Sequence, residues 1–270
     1  MNNEATTQRP TTRPTTGNTL QTPHSPACTP ADRVTKSLLG YGVIAGPFYL
    51  VVALAQALTR GGFDLARHQW SLLANGGPGW IQIGNFVVTG SMVMAFAVGL
   101  RRALTPGIGA RWAPRLVGLY GASLIAAGVF RADPALGFPA GTPDGPGTVS
   151  WHGLLHFAAG GVGFSCLAIA CFVIARRYSA EGRRGLVGPD EGGAANRHSG
   201  EHKQPGDAGA RLFSALLAVF SRVTGIVFLV TFGMLASSGG LPMANLLFTA
   251  AVIGVWVWLS AVAVNRYRQV

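Results

Sequence analysis

Six long apolar stretches, Leu38–Leu58, Trp80–Leu100, Leu116–Phe130, Trp151–Ala175, Val223–Leu241 and Leu241–Val264, constrain this chain more than any other feature. A bilayer core about 30 Å thick takes roughly 20 apolar residues in a helix. Most of the stretches reach that length, and none contains Asp, Glu, Lys or Arg. Helices of a soluble domain meet water along one face and show polar residues every third or fourth position. These do not. The expected fold is therefore all-α, a polytopic bundle of six transmembrane helices.

The placement of charge orients that bundle. A formal net charge of +11 would suggest a nucleic-acid partner in a soluble chain. Yet 18 of the 21 Lys and Arg fall before the first stretch, between the second and third, between the fourth and fifth, or after the sixth. Only Arg60, Arg67 and Arg131 fall on the opposite side. This is the positive-inside pattern, so both termini are expected in the cytoplasm, with the chain a multi-pass protein of the cell membrane. A nucleic-acid surface needs a compact basic domain, and none remains once the apolar stretches are removed. The bilayer is the expected partner, and nucleic acid is not.

Residues 1–34 are rich in Thr and Pro and hold too little apolar surface to offset ordering entropy, so a disordered cytoplasmic tail is expected there. A six-span membrane domain then fills 35–265, interrupted by a disordered cytoplasmic loop over 179–210. His198 and His202 in that loop read as part of a flexible polar segment. Arg222 is costly in mid-bilayer, so the fifth span is expected to start at Val223, with Arg211–Phe220 a separate interfacial helix. The first stretch is long enough to act as a signal anchor, and no cleavable secretory signal precedes it. Cys28, Cys166 and Cys171 indicate no disulfide framework.

Chemistry is confined to the first four stretches and their connections, because 223–264 has no Asp, Glu, Lys, Arg, His, Tyr or Cys. There the polar residues gather at one depth. His152 and His156, four apart, share a helical face, as do Gln82, Asn85 and Thr89. Gln56 ends the first stretch, and the external connections add His68, Ser71, Arg131 and Asp133. The third stretch is short, fifteen residues or about 22 Å, which holds Arg131 and Asp133 near the outer boundary. The proline-containing segment after it is expected to fold back as an external cap. Polar groups within a membrane usually face the bundle interior or a wet cavity. One external pocket lined by His68, Ser71, Gln82, Asn85, Arg131, Asp133, His152 and His156 is the expectation. His152 and His156 with Asp133 would suit zinc and leave a position for water. The plainer alternative is that these groups bond one another and tie the loops down. Haem is disfavoured, since bis-His ligation needs two helices. Glycines 118, 121 and 128 in the third stretch and 160, 161 and 163 in the fourth should let helices approach closely.

The strings Gly46-Pro47-Phe48-Tyr49-Leu50, Arg67-His68-Gln69-Trp70-Ser71, Gly79-Trp80-Ile81-Gln82-Ile83-Gly84-Asn85-Phe86 and Ser150-Trp151-His152-Gly153-Leu154-Leu155-His156 carry a resemblance. Together they resemble the bacterial domain-of-unknown-function 998 family, over about Leu38 to Val264. That resemblance implies a multi-span membrane protein without an assigned activity, and it supplies no catalytic residues. More loosely, the pattern Ser71, Asp133, His152, His156 is similar to membrane-embedded metal-dependent hydrolases such as alkaline ceramidases. Those have seven spans and a third histidine on another helix, which this chain lacks. Two functions remain open. One is a non-enzymatic accessory, sensor or ligand-binding protein with a small-molecule or lipid ligand. The other is a zinc-dependent hydrolase acting on lipid at the outer leaflet.

Overall fold

The computed structural model describes residues 29–145, 147–184 and 206–270. Six α-helices account for most of them: α1 Pro30–Thr59, α2 Gly79–Leu104, α3 Trp112–Val129, α4 Trp151–Arg184, α5 Gly206–Ser237 and α6 Pro242–Tyr267. A short 3-10 turn, Trp70–Ala74, lies between α1 and α2. Most of the expected tail, and the centre of the expected loop with His198 and His202, lie outside the described residues.

Both polar segments are shorter than the sequence suggests. Pro30 stands in the first turn of α1, where its missing N–H costs nothing. Thr29 caps that end: its hydroxyl accepts from the Asp32 N–H (3.2 Å), and the Asp32 carboxylate accepts from the Thr29 N–H (3.0 Å). Helix thus begins inside the stretch expected as tail. Residues 179–184 and 206–210 are likewise helical. The fifth helix runs unbroken from Gly206, so Arg211–Phe220 is not a separate interfacial helix. No Pro or Gly lies between Arg211 and Val223 to interrupt it.

Five helices, α1, α2, α4, α5 and α6, are long and apolar enough to cross a membrane. The chain is a multi-pass membrane protein. Helix α3 falls short of that measure, being 18 residues with Pro114 and Arg115 in its first turn and three glycines beyond. Trp80, Trp112 and Trp151 sit exposed at the starts of α2, α3 and α4, as interfacial aromatics do.

Each helix packs on its neighbours in the chain, and α6 closes back on α1, so the six form a ring. At one pole Lys36 of α1 lies 6.0 Å from the Tyr267 ring at the end of α6. At the same pole Arg177, near the end of α4, donates to the Leu104 carbonyl that ends α2 (2.7 Å), and Arg266 of α6 pairs with Glu181 of α4 (2.9 Å). This is the basic pole. The opposite, cap pole holds the 3-10 turn and the folded segments 130–145 and 147–150.

Small residues and freed carbonyls explain the tightest contacts. A Cβ on Gly90 of α2 would lie 2.6 Å from the Gly121 carbonyl oxygen of α3, and one on Gly163 of α4 would collide with Ser123 of α3. Pro47 lies inside α1 and leaves the Val43 carbonyl without its helical donor. Ser260 of α6 supplies a hydroxyl to that oxygen at 3.2 Å, which satisfies it where no water can.

Candidate functional site

The ring leaves a cavity of about 540 Å³ in the half nearer the cap pole. Its innermost wall is aromatic: Trp256 of α6 meets Tyr49 of α1 and Tyr120 of α3 at centroid distances of 5.1 and 5.8 Å. Phe164 of α4 and Phe228, Phe232 and Phe248 of α5 and α6 continue it, packed edge to face or tilted. Towards the mouth Ser71, Asp133, Thr148 and His156 join the lining, while Ser123 and the Tyr49 and Tyr120 side chains add polar atoms deeper in. Among the described lining residues Asp133 is the sole carboxylate, and there is no Lys or Arg. The volume falls within the ~300–1,000 Å³ range of small-molecule sites, and the walls are mostly apolar.

Of the eight residues expected to share this pocket, three line it: Ser71, Asp133 and His156. His156 is buried, and its Nδ1 lies 3.1 Å from the Ala127 carbonyl oxygen and 2.9 Å from that of Phe130. Both partners are acceptors, so Nδ1 carries the proton and Nε2 is the nitrogen left over. Asp133 sits at the N-terminus of α4 and accepts from the Ser150 N–H (2.7 Å) and hydroxyl (2.6 Å). Ser150 in turn accepts from the Gly153 N–H, so the carboxylate and the hydroxyl together cap the helix.

The other five are elsewhere. His152 is exposed and its ring stacks 3.5 Å from that of Trp151. Arg131 is also exposed. Gln82 and Asn85 are buried in the seam between α1 and α2. There Gln56 donates to Gln82 (2.9 Å), and Asn85 donates to the Tyr49 carbonyl (3.2 Å) and accepts from Thr89 (3.2 Å). His68 is buried in the cap, where Nδ1 accepts from the Asp64 N–H and Nε2 donates to the Leu136 carbonyl, each at 2.9 Å. Among the described residues no three His, Cys, Asp or Glu side chains converge as a metal-ligand set. His152, His156 and Asp133 each face different partners.

Three residues that hold the cap were not singled out from the sequence. Arg60, at the end of α1, donates to the Leu73 and Asn75 carbonyls and lies 4.9 Å from the Phe138 ring centroid. Partial burial pulls its pKa down, yet a guanidinium remains charged. Asn75 donates to the Ala132 carbonyl (3.0 Å), and Asn245 of α6 donates to that of Leu65 (2.9 Å). Phe138 is 1% exposed and packs edge-on against Phe63, which seats the cap over the ring. A proline-flanked aromatic between two apolar loops is the signal that could have located this seat.

A family model described as protein of unknown function (DUF998) matches residues 43–189, more than half of the chain. No curated protein and no solved structure matches it.

Proposed function

The chain belongs to the DUF998 family, and we propose that it is a non-enzymatic membrane protein that takes one lipid-like amphiphile into its ring of helices. The observation that carries this reading is that the cavity wall includes apolar residues that are themselves exposed. Phe157 of α4 lines the cavity and is 62% exposed, and Ala236 of α5 lines it and is exposed as well. Between them Gly160 and Gly161 present no side chain. An apolar chain can pass sideways through this seam, while its polar end meets Ser71, Asp133 and the Nε2 of His156 at the mouth.

The same reading has six crossings. Phe86 of α2 and His156 of α4, both near their helix starts, are in ring contact at 6.5 Å, and Arg177 joins the end of α4 to the end of α2. The two helices therefore run in the same direction, which supports a return across the membrane between them. Helix α3 is the helix available for that return. With α3 counted, the basic pole and both termini face the cytoplasm of the cell membrane and the cavity opens towards the outer leaflet.

A diazirine-bearing fatty acid in detergent micelles tests the reading. Photolysis should place adducts on the cavity-lining parts of α4 and α5, within 156–164 and 228–236. A Cβ on Gly161 would meet no atom within 4 Å, so Gly161→Leu should fold while filling the cavity, and should lower those adducts at least tenfold. Adducts confined to outward residues such as Val162 and Ile169, at equal levels in both proteins, would reject it.

A further inference from the structure

A second concavity, of about 440 Å³, lies between α4 and α5 at the basic pole. It is remote from the central cavity and does not depend on the function proposed for that cavity. Arg183 of α4 and Arg211 and Arg222 of α5 line it, together with the apolar Leu212, Ala215 and Val219 of α5. Leu212 and Val219 are exposed, 62% and 54%, so this apolar strip continues onto the lipid-facing side of α5.

Arg222 shows how the groove is charged. One turn away, Gly225 lies against Cys171 and Phe172 of α4. The Arg222 Nη2 nevertheless donates to the hydroxyl of Ser179, further along α4, at 2.8 Å. Its side chain therefore runs along the groove towards the basic pole, as a snorkelling arginine does. Among the described residues no acidic side chain lines it. Glu181, on the adjacent turn, is held by Arg177 and Arg266. Ser179 uses its oxygen to accept from Arg222, so its hydroxyl hydrogen remains to be donated.

We propose that this groove binds an anionic phospholipid of the leaflet at the basic pole. The phosphate sits between Arg183 and Arg222 with the Ser179 hydroxyl as a further donor, Leu212 and Ala215 floor the groove beside it, and one acyl chain leaves past Val219 along the exposed Val223 and Ile226 towards the bilayer centre. Guanidinium groups match phosphate oxygens in a planar fork, and basic pockets between membrane helices at headgroup depth suit such lipids. A general excess of basic residues accounts for charge at this pole. It does not account for arginines brought from two helices onto one apolar floor.

Native mass spectrometry of the delipidated full chain, titrated with phosphatidylglycerol or phosphatidylcholine, reads the site directly. Wild type should retain phosphatidylglycerol in preference to phosphatidylcholine, and Arg183→Gln/Arg222→Gln should lose that retention at least tenfold. Arg101→Gln/Arg102→Gln removes the same charge at the same pole outside the groove and should keep it. Ala215→Phe fills the floor and spares both arginines, so it should lose the lipid too, and it carries the test if the arginine variant does not fold. Equal loss in the two charge variants, no loss in either, or equal retention of the two lipids would overturn the proposal. Displacement of the lipid by inorganic phosphate at millimolar concentration would overturn it as well, by reducing the site to a phosphate site.

Discussion

His156 serves two carbonyls with one nitrogen. The last turn of a helix leaves carbonyls without donors, and Ala127 and Phe130 are such groups at the end of α3. His156→Ala should therefore cost about 1–3 kcal/mol through unsatisfied buried acceptors. His152→Ala, at an exposed position, should stay within about 0.5 kcal/mol. Denaturation in detergent would measure both, with zinc content followed alongside. Near one equivalent of zinc in wild type, lost in either variant, would show that the histidines are ligands after all. Depth was legible in the sequence at this scale, since His156, Gln82 and Asn85 do lie in the half of the bundle nearer the cap. Azimuth was not. A helix that is apolar on all sides gives no periodic signal for which face is inward, so groups at one depth read as one pocket. Gln82 and Asn85 instead face the α1 seam.

At the scale of elements, the glycines divide into two kinds that composition alone cannot separate. Gly90 and Gly121 are contact glycines, each backbone lying against the other. Gly160 and Gly161 were expected to pack in the same way, but they border the cavity and leave space. Gly90→Val should therefore lower the yield of folded protein and the melting temperature by several degrees, because the Gly121 carbonyl cannot move without its helix. Gly161→Val should leave both close to wild type. Size-exclusion profiles and thermal melts of the two variants decide this, and equal tolerance would remove the close α2–α3 approach. The helices themselves were plain from their hydropathy. Their ends were not. Pro30 and the polar residues after Gly206 look like loop chemistry, yet a cap at Thr29 and packing of α5 on α4 extend both helices beyond the apolar run.

For the whole molecule the decisive question is whether α3 completes a sixth crossing. With the native cysteines replaced, Ile108→Cys in the α2–α3 connection and Ala140→Cys in the cap should lie on opposite sides. A membrane-impermeant thiol reagent should label position 140 and spare 108 in intact cells. Labelling of both or neither would remove α3 as a span, and labelling of 108 alone would invert the orientation. The closed ring also bears on how the protein is made. Extensive packing joins helices adjacent in the chain, except where α6 meets α1. During synthesis the first five helices can only form an open horseshoe, and the seam closes when the last one arrives. Until then the Val43 carbonyl freed by Pro47 waits in the bilayer for Ser260. A chain cut before α6 therefore leaves that oxygen without the donor that Ser260 supplies.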